Sequence, residues 1–260
     1  MGLRYVTLCA LTMWCVGASA QYVGPGAAIP VVANNPGVND TYWRSDVSIL
    51  NVDEVDTSVR LLLYPEIRGG QPQFPEPIES DEMSVAAGTQ LTLTNVVQSV
   101  FGLINEKGAL QVWSTNGTPL VVSSRVYTVG TDGGSYGQDV SGVMVARKAW
   151  ASGIRHDSMF RTNVGISLLV DPLPGSTTTF TVTVSNAEGD EVGSLLWSFA
   201  QAGLQQRSLD AFDVGTLIQG SVRFECDDPT VMWYAYASRV DQINGDAVFR
   251  IARGYQSDLP

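Results

Sequence analysis

Tyr42-Trp43-Arg44-Ser45-Asp46-Val47-Ser48-Ile49 returns, altered, as Met159-Phe160-Arg161-Thr162-Asn163-Val164-Gly165-Ile166. From its second position each copy reads aromatic, Arg, small hydroxyl, Asp or Asn, Val, small, Ile. Trp43, Val47 and Ile49 fall on one face at period two, as do Phe160, Thr162, Val164, Ile166 and Leu168. That period marks a strand with one buried face. A second echo pairs Ser124-Arg125-Val126 with Ser238-Arg239-Val240. Arg44 to Arg125 spans 81 residues and Arg161 to Arg239 spans 78. Two anchors at nearly equal separation predict one unit of about 115 residues used twice.

The same periodicity extends outward from these anchors. Val59–Tyr64, Gln90–Thr94, Ala109–Trp113 and Leu120–Val129 read as strands of the first unit. Asn95–Gly102 reads as a short helical turn with Asn95 as its cap, and Asn116-Gly117 as a hairpin turn. Gly130–Gln138 reads as a flexible, aromatic-tipped loop, and Ser141–Ala146 as the closing strand. In the second unit, Phe180, Val182 and Val184 alternate with Thr179, Thr181, Thr183 and Ser185. Val192–Phe199, Leu204–Leu209, a helical turn at Asp210–Val214, a late hairpin of Ser221–Cys226 and Val231–Val240, and Ala247–Arg253 follow. Short strands separated by turns predict an all-β chain of two tandem antiparallel β-sandwich units, immunoglobulin-like or jelly-roll-like in class. No Cys…Trp…Cys pattern of a true immunoglobulin domain is present. The expected organisation is a leader over 1–20, an extended segment over 21–40, and units over 41–147 and 148–260. The junction, Arg147–Ser158, holds Trp150 and His156.

Pro65, Pro72, Pro75 and Pro77 forbid a central strand over 65–82, and Gly69-Gly70 loosens it. This stretch reads as a long surface loop without counterpart in the second unit. Phe74, at its middle, is a candidate contact residue.

Composition narrows the function. Of 260 residues, 44% are hydrophobic and 16% charged, enough for real cores. The formal net charge is −11, with two lysines and 13 scattered arginines. Such a surface opposes nucleic acid and anionic membranes, which need clustered cations. Arg4, the apolar run Val6–Val16 and Ala18-Ser19-Ala20 form the three parts of a secretory signal, leaving Gln21 first and no membrane span after cleavage. The expected location is secreted, extracellular or periplasmic. Cys9 and Cys15 leave with the leader, so Cys226 is expected to form no internal disulfide and reads as a buried inert thiol.

The chemistry-bearing residues are few. One histidine, His156, rules out multi-His metal centres. No Gly-x-Ser-x-Gly elbow accompanies it, and no phosphate-binding glycine loop is present. Asp132-Gly133-Gly134, Asp227-Asp228 and Asn244-Gly245-Asp246 are oxygen-rich turns without EF-hand spacing. No metal or cofactor is expected. Carboxylate pairs at glycosidase spacing stay open, since 26 acids carry no specificity. Arg44, Arg125, Arg161 and Arg239, with Trp43 and Phe160, are the repeat anchors. Each arginine is expected to pair with a nearby acid and fix a sheet position; binding an anionic ligand is the functional alternative. Tyr136 in the glycine-rich loop and Trp150 in the junction are the aromatics expected to be exposed for ligand contact.

Phe160-Arg161-Thr162-Asn163 and Ser135-Tyr136-Gly137-Gln138 resemble short motifs in uncharacterised exported bacterial proteins built from tandem β-sandwich units. The resemblance implies an extracellular, non-catalytic module and carries over no functional residue. The leading reading is a secreted or surface-associated interaction or structural protein, with a surface protein or polysaccharide as partner. A carbohydrate-binding module using loop aromatics, a fibre subunit self-associating through sheet edges with the N-terminal segment as donor strand, and a glycan-active enzyme are the alternatives.

Overall fold

The computed structural model describes residues 23–254 apart from 39, 70, 73, 75, 131, 132, 141–147 and 229. The leader, the closing strand expected over 141–146 and Asp132 lie outside the described residues. The first part of the chain forms β1 (Val23–Gly24), β2 (Gly26–Pro36), β3 (Tyr42–Asn51), β4 (Thr57–Pro65), β5 (Ile67–Arg68), β6 (Gln71–Pro72), β7 (Ile78–Glu79), β8 (Met83–Val85), β9 (Gln90–Leu93), the helical turn α1 (Val96–Ser99), β10 (Glu106–Ser114), β11 (Leu120–Val129) and β12 (Ser135–Val140). The second part forms β13 (Lys148–His156), β14 (Phe160–Leu168), β15 (Thr178–Asn186), β16 (Glu191–Phe199), β17 (Gly203–Ser208), a 3-10 turn (Leu209–Phe212), β18 (Leu217–Cys226), β19 (Trp233–Asp241), β20 (Ala247–Ile251) and β21 (Arg253–Gly254). Nearly everything is antiparallel sheet, as the period-two patterns require. No described helix is long and apolar enough to cross a membrane.

The two parts share one pairing order. In the first, β9, β3, β11 and β12 are neighbours, as are β7 or β8, β4, β10 and β2. In the second, β17, β14, β19 and β20 are neighbours, as are β16, β15, β18 and β13. A short helical turn follows the fourth-position strand of each, α1 after β9 and the 3-10 turn after β17. The likeness is one of topology. Within it, the quoted stretches on β3 and β14 bury matching positions: Ser45, Val47, Ile49 and Asn51 against Thr162, Val164, Ile166 and Leu168. The second echo falls out of register. Arg125 lies opposite Asp46, but Arg239 lies opposite Thr162 rather than Asn163. A slip of one residue turns a side chain to the other face, so Arg125 points outward while Arg239 shares the parity of the core residues Ala235 and Ala237.

Several expectations need correcting. The segment over 21–40 is not a lead-in: β2 pairs with β10 from Gly26 to Asn34 and with β3 at its end, so the first sandwich starts at β1. It is thereby occupied within its own sheet, not free as a donor strand. The Asn116-Gly117 turn does not close a hairpin, because β10 and β11 do not pair: β3 and β2 stand between them in the strand order. Asn116 explains why: its Oδ1 accepts from the Thr57 and Thr118 hydroxyls at 2.6 and 2.7 Å, and its amide donates to the Asp56 carbonyl. These bonds tie the turn to the start of β4 and send the chain across the sandwich. β18 and β19 do not form a hairpin either, and lie in different sheets. Asn95 begins α1 without a side-chain cap, in the left-handed conformation, its amide group bonded to Gln98 instead. The glycine-rich loop is shorter than expected, for Ser135–Val140 is strand β12 on β11. The junction is equally strand: β13 pairs with β18 and β21. Cys226 is half-buried against the second core.

Pro65–Glu82 is not a decorated solvent loop. Its prolines do forbid one continuous strand, so two fragments, β7 and β8, take the edge of β4 that β16 takes on β15. Between them the chain reaches across to the second sandwich. Glu66 bridges Leu204, Ile67 sits in the second core, and Gln201 donates to the Phe74 carbonyl at 3.1 Å. The sandwiches thus pack face to face. Ala28, Tyr64 and Ala109 from the outer face of β2, β4 and β10 meet Leu169, Ala202 and Tyr234 in an apolar cluster of their own. Leu204 and Tyr236 join the first core.

Candidate functional site

The site lies where this interface opens. β2 carries two residues, Pro30 and Val31, where β10 carries only Ala109, so the register shifts between Gly108 and Leu110. A bulge of this kind re-aims the side chains beyond it, and a proline is tolerated there because the ladder is already broken. Before the bulge Ile29 points into the first core; after it Val31, Ala33 and Asn35 point toward the second sandwich. There they wall a cavity of about 320 Å³ together with Trp43 of β3, Lys107 of β10, Gln138 of β12, Arg161 and Asn163 of β14, Gln206 of β17 and Tyr236 and Ser238 of β19.

Two glycines permit the close approaches. A Cβ on Gly165 would stand 2.3 Å from the Tyr236 ring, so the glycine lets that ring lie flat on β14. Tyr236 is fully buried, stacks on Phe249 at 4.9 Å and donates to Gln206 Oε1 at 2.7 Å. Burial, then Glu66, holds its hydroxyl un-ionised well beyond the usual range. A Cβ on Gly37 would stand 2.5 Å from the Trp43 indole nitrogen, so the turn after β2 closes onto the tryptophan only without a side chain.

The electrostatics single out one group. Lys107 is neutralised by Glu66 at 2.9 Å. Glu66 also binds Arg68, which reaches Glu106 at 3.0 Å. Burial pushes the Glu106 carboxyl up, against the Lys107 amide and the Arg68 charge. Arg161 has no such partner. Among the described residues it forms no ion pair and donates no hydrogen bond, and its Nε is shut away from solvent. Burial lowers its pKa, but a guanidinium keeps its charge. Close by, Gln138 donates to Ser238 at 3.1 Å while its Oε1 is buried without a partner.

The expected acid partners of the repeat arginines are therefore replaced. Arg44 stacks on Tyr42 and Arg125 on Tyr127, each at 5.2 Å, on the outer face of the first sandwich. Arg239 and Arg155 both lie over the Phe160 ring, at 5.3 and 4.4 Å. Arg161 alone of the four points into the cavity. The three expected contact aromatics are not brought together. Tyr136 is half-buried on β12, opposite Thr128. Trp150 is 41% exposed on β13, between Arg223 and Arg253. Phe74 is half-buried in the clasp between the sandwiches.

His156 anchors the 3-10 turn. Its Nδ1 accepts from the Thr162 amide at 3.3 Å and its Nε2 donates to Asp210 at 2.9 Å. The Ser208 hydroxyl also donates to Asp210, at 2.5 Å. These two bonds, serine first, pull the Asp210 carboxyl below its usual range. Serine and histidine share the acid without touching each other, which is not the order of acyl transfer. Two of the oxygen-rich turns occupy their carboxylates with backbone amides: Asp227 with Thr179, Asp228 with Thr230, Asp246 with Ala247.

Asn163, Gln138, Gln206 and Lys107 were not candidates from sequence. Arg161 and Asn163 nevertheless lie in one of the two quoted motifs and Gln138 in the other, and the fold brings these motifs to one cavity.

No family model matches the chain, and no curated protein resembles it in sequence. Among solved structures, two of the similar chains are glycosyl hydrolase family 2 members from Bacteroides cellulosilyticus and its strain DSM 14838. They align over 86% and 87% of this chain at 5% and 6% identity, with TM-scores of 0.21 and 0.20. The chain spans about a quarter of their lengths, 25% and 27%. Likeness at that level carries no argument, so the reading of this protein stands on its own geometry.

Proposed function

We propose that this chain is an exported, non-catalytic binding protein that holds its ligand in the cavity between two β-sandwiches. One observation carries the reading: Arg161, half-buried with its Nε shut from solvent, lines a cavity without a counter-ion. A folded chain keeps such a group where something else supplies the charge. The described lining offers arginine, carboxamides, a hydroxyl and an indole, a set suited to recognition. The carbohydrate reading moves with it, away from Tyr136, Trp150 and Phe74, which stand apart, to the cavity beside Trp43.

The test is a soluble ligand panel followed by tryptophan fluorescence and by melting temperature. Binding that vanishes in Asn163→Leu, with the fold intact by circular dichroism, supports the cavity. Binding lost only in Trp150→Ala would move the site to the outer sheet and sink this reading.

A further inference from the structure

We infer that the ligand of this cavity is an acidic sugar residue, a ring of hydroxyls carrying one carboxylate. The inference rests on the cavity being the binding site and names what it takes. A volume of about 320 Å³ lies at the small end of ligand pockets, about 300–1,000 Å³, and suits one ring rather than several.

Charge sets the first requirement. Glu66 already cancels Lys107, so the cavity is short of one negative charge, at Arg161. The planar guanidinium fork matches a carboxylate by two parallel bonds. Hydrogen-bond sense sets the second. Gln138 Oε1 is buried and unpaired, and it is an acceptor. The Asn163 side chain has no partner among the described residues and presents both senses. Fully ionised sulfate offers only acceptors and leaves Gln138 unsatisfied. Sugar hydroxyls both donate and accept, and so meet both amides. Trp43 supplies an apolar wall of the kind sugar rings pack against.

Titration calorimetry on the purified protein tests this with glucuronate, glucose, acetate, inorganic phosphate and a polyuronate chain. Glucuronate, free or as a residue of the chain, should bind at least tenfold more tightly than glucose, acetate or phosphate. Arg161→Gln should lower uronate affinity tenfold or more while leaving glucose unchanged. Arg44→Gln, at the matching position of the first sandwich, should change nothing. Equal affinity for glucose and glucuronate, with Arg161→Gln silent and Asn163→Leu weakening both, would overturn the acidic class and leave the cavity standing. Phosphate binding as tightly as glucuronate would overturn the sugar and leave an anion site. No heat with any of the five would remove the inference. If the tryptophan fluorescence of the wild-type protein is also unmoved by every ligand of the wider panel, the cavity reading falls with it.

Discussion

Arg44 and Arg161 occupy the same place on the same strand of two sandwiches and have opposite surroundings. Arg44 lies half-buried on an outer face, stacked on Tyr42. Arg161 lies on a face that another sandwich covers, with no counter-charge. Nothing on their own strands separates them, since both follow an aromatic and precede a small hydroxyl residue. The difference comes from what is stacked on top. An arginine at the same strand position meets a different setting when the face it stands on is buried against a neighbour, and the bulge at Pro30 re-aims the side chains that line the space left between.

The comparison can be broken hardest at the glycine two turns of the pleat further on. Gly165→Val drives a side chain into the Tyr236 ring and should cost about 3 kcal/mol or more. Ser48→Val, at the matching position of the first sandwich, should stay within about 0.5 kcal/mol. Urea unfolding of the two variants measures the contrast; equal losses would show that the covered face is not tight. Ile67→Ala removes a clasp residue from the second core and should cost about 2 kcal/mol, the low end for such a truncation, again by urea midpoint. Arg161→Met should stabilise the ligand-free protein by about 1 kcal/mol by removing an unpaired charge. Arg44→Met should do nothing measurable, and thermal melts of both decide it.

The smallest effect is an alkaline one, also confined to the covered face. Burial, with Asp171 adding to it, pushes the Tyr64 hydroxyl up to about 12. The neutral phenol is favoured in the fold. Its contribution is therefore complete below the unfolded value of about 10 and disappears as pH rises through about 12. Ultraviolet titration should show the wild type and Tyr64→Phe ionising alike near pH 10, with the wild type alone gaining one further tyrosinate near pH 12.

Much of the fold was readable because β3, β4, β14 and β15 each bury one face, and period two records that directly. What escaped was anything decided by a partner strand. Asn116-Gly117 fits a hairpin and an arch equally well, and only the bonds to Thr57 and Asp56 select the arch. The Pro30 bulge is set by β10, and Tyr136 was read as loop because three nearby glycines hide the strand that β11 imposes. The site was least visible of all. Its polar side chains come one each from β2, β10, β12 and β17 and two each from β14 and β19, unremarkable alone. Arg161 was a candidate for an anion, but its want of a partner is a property of two stacked sandwiches.

The cores exchange side chains across the interface: Ile67 goes to the second, Leu204 and Tyr236 to the first. Neither sandwich can melt without tearing a hole in the other. Their unfolding is thereby coupled, and the described chain behaves as one cooperative unit, its calorimetric trace a single peak where two independent modules would give two.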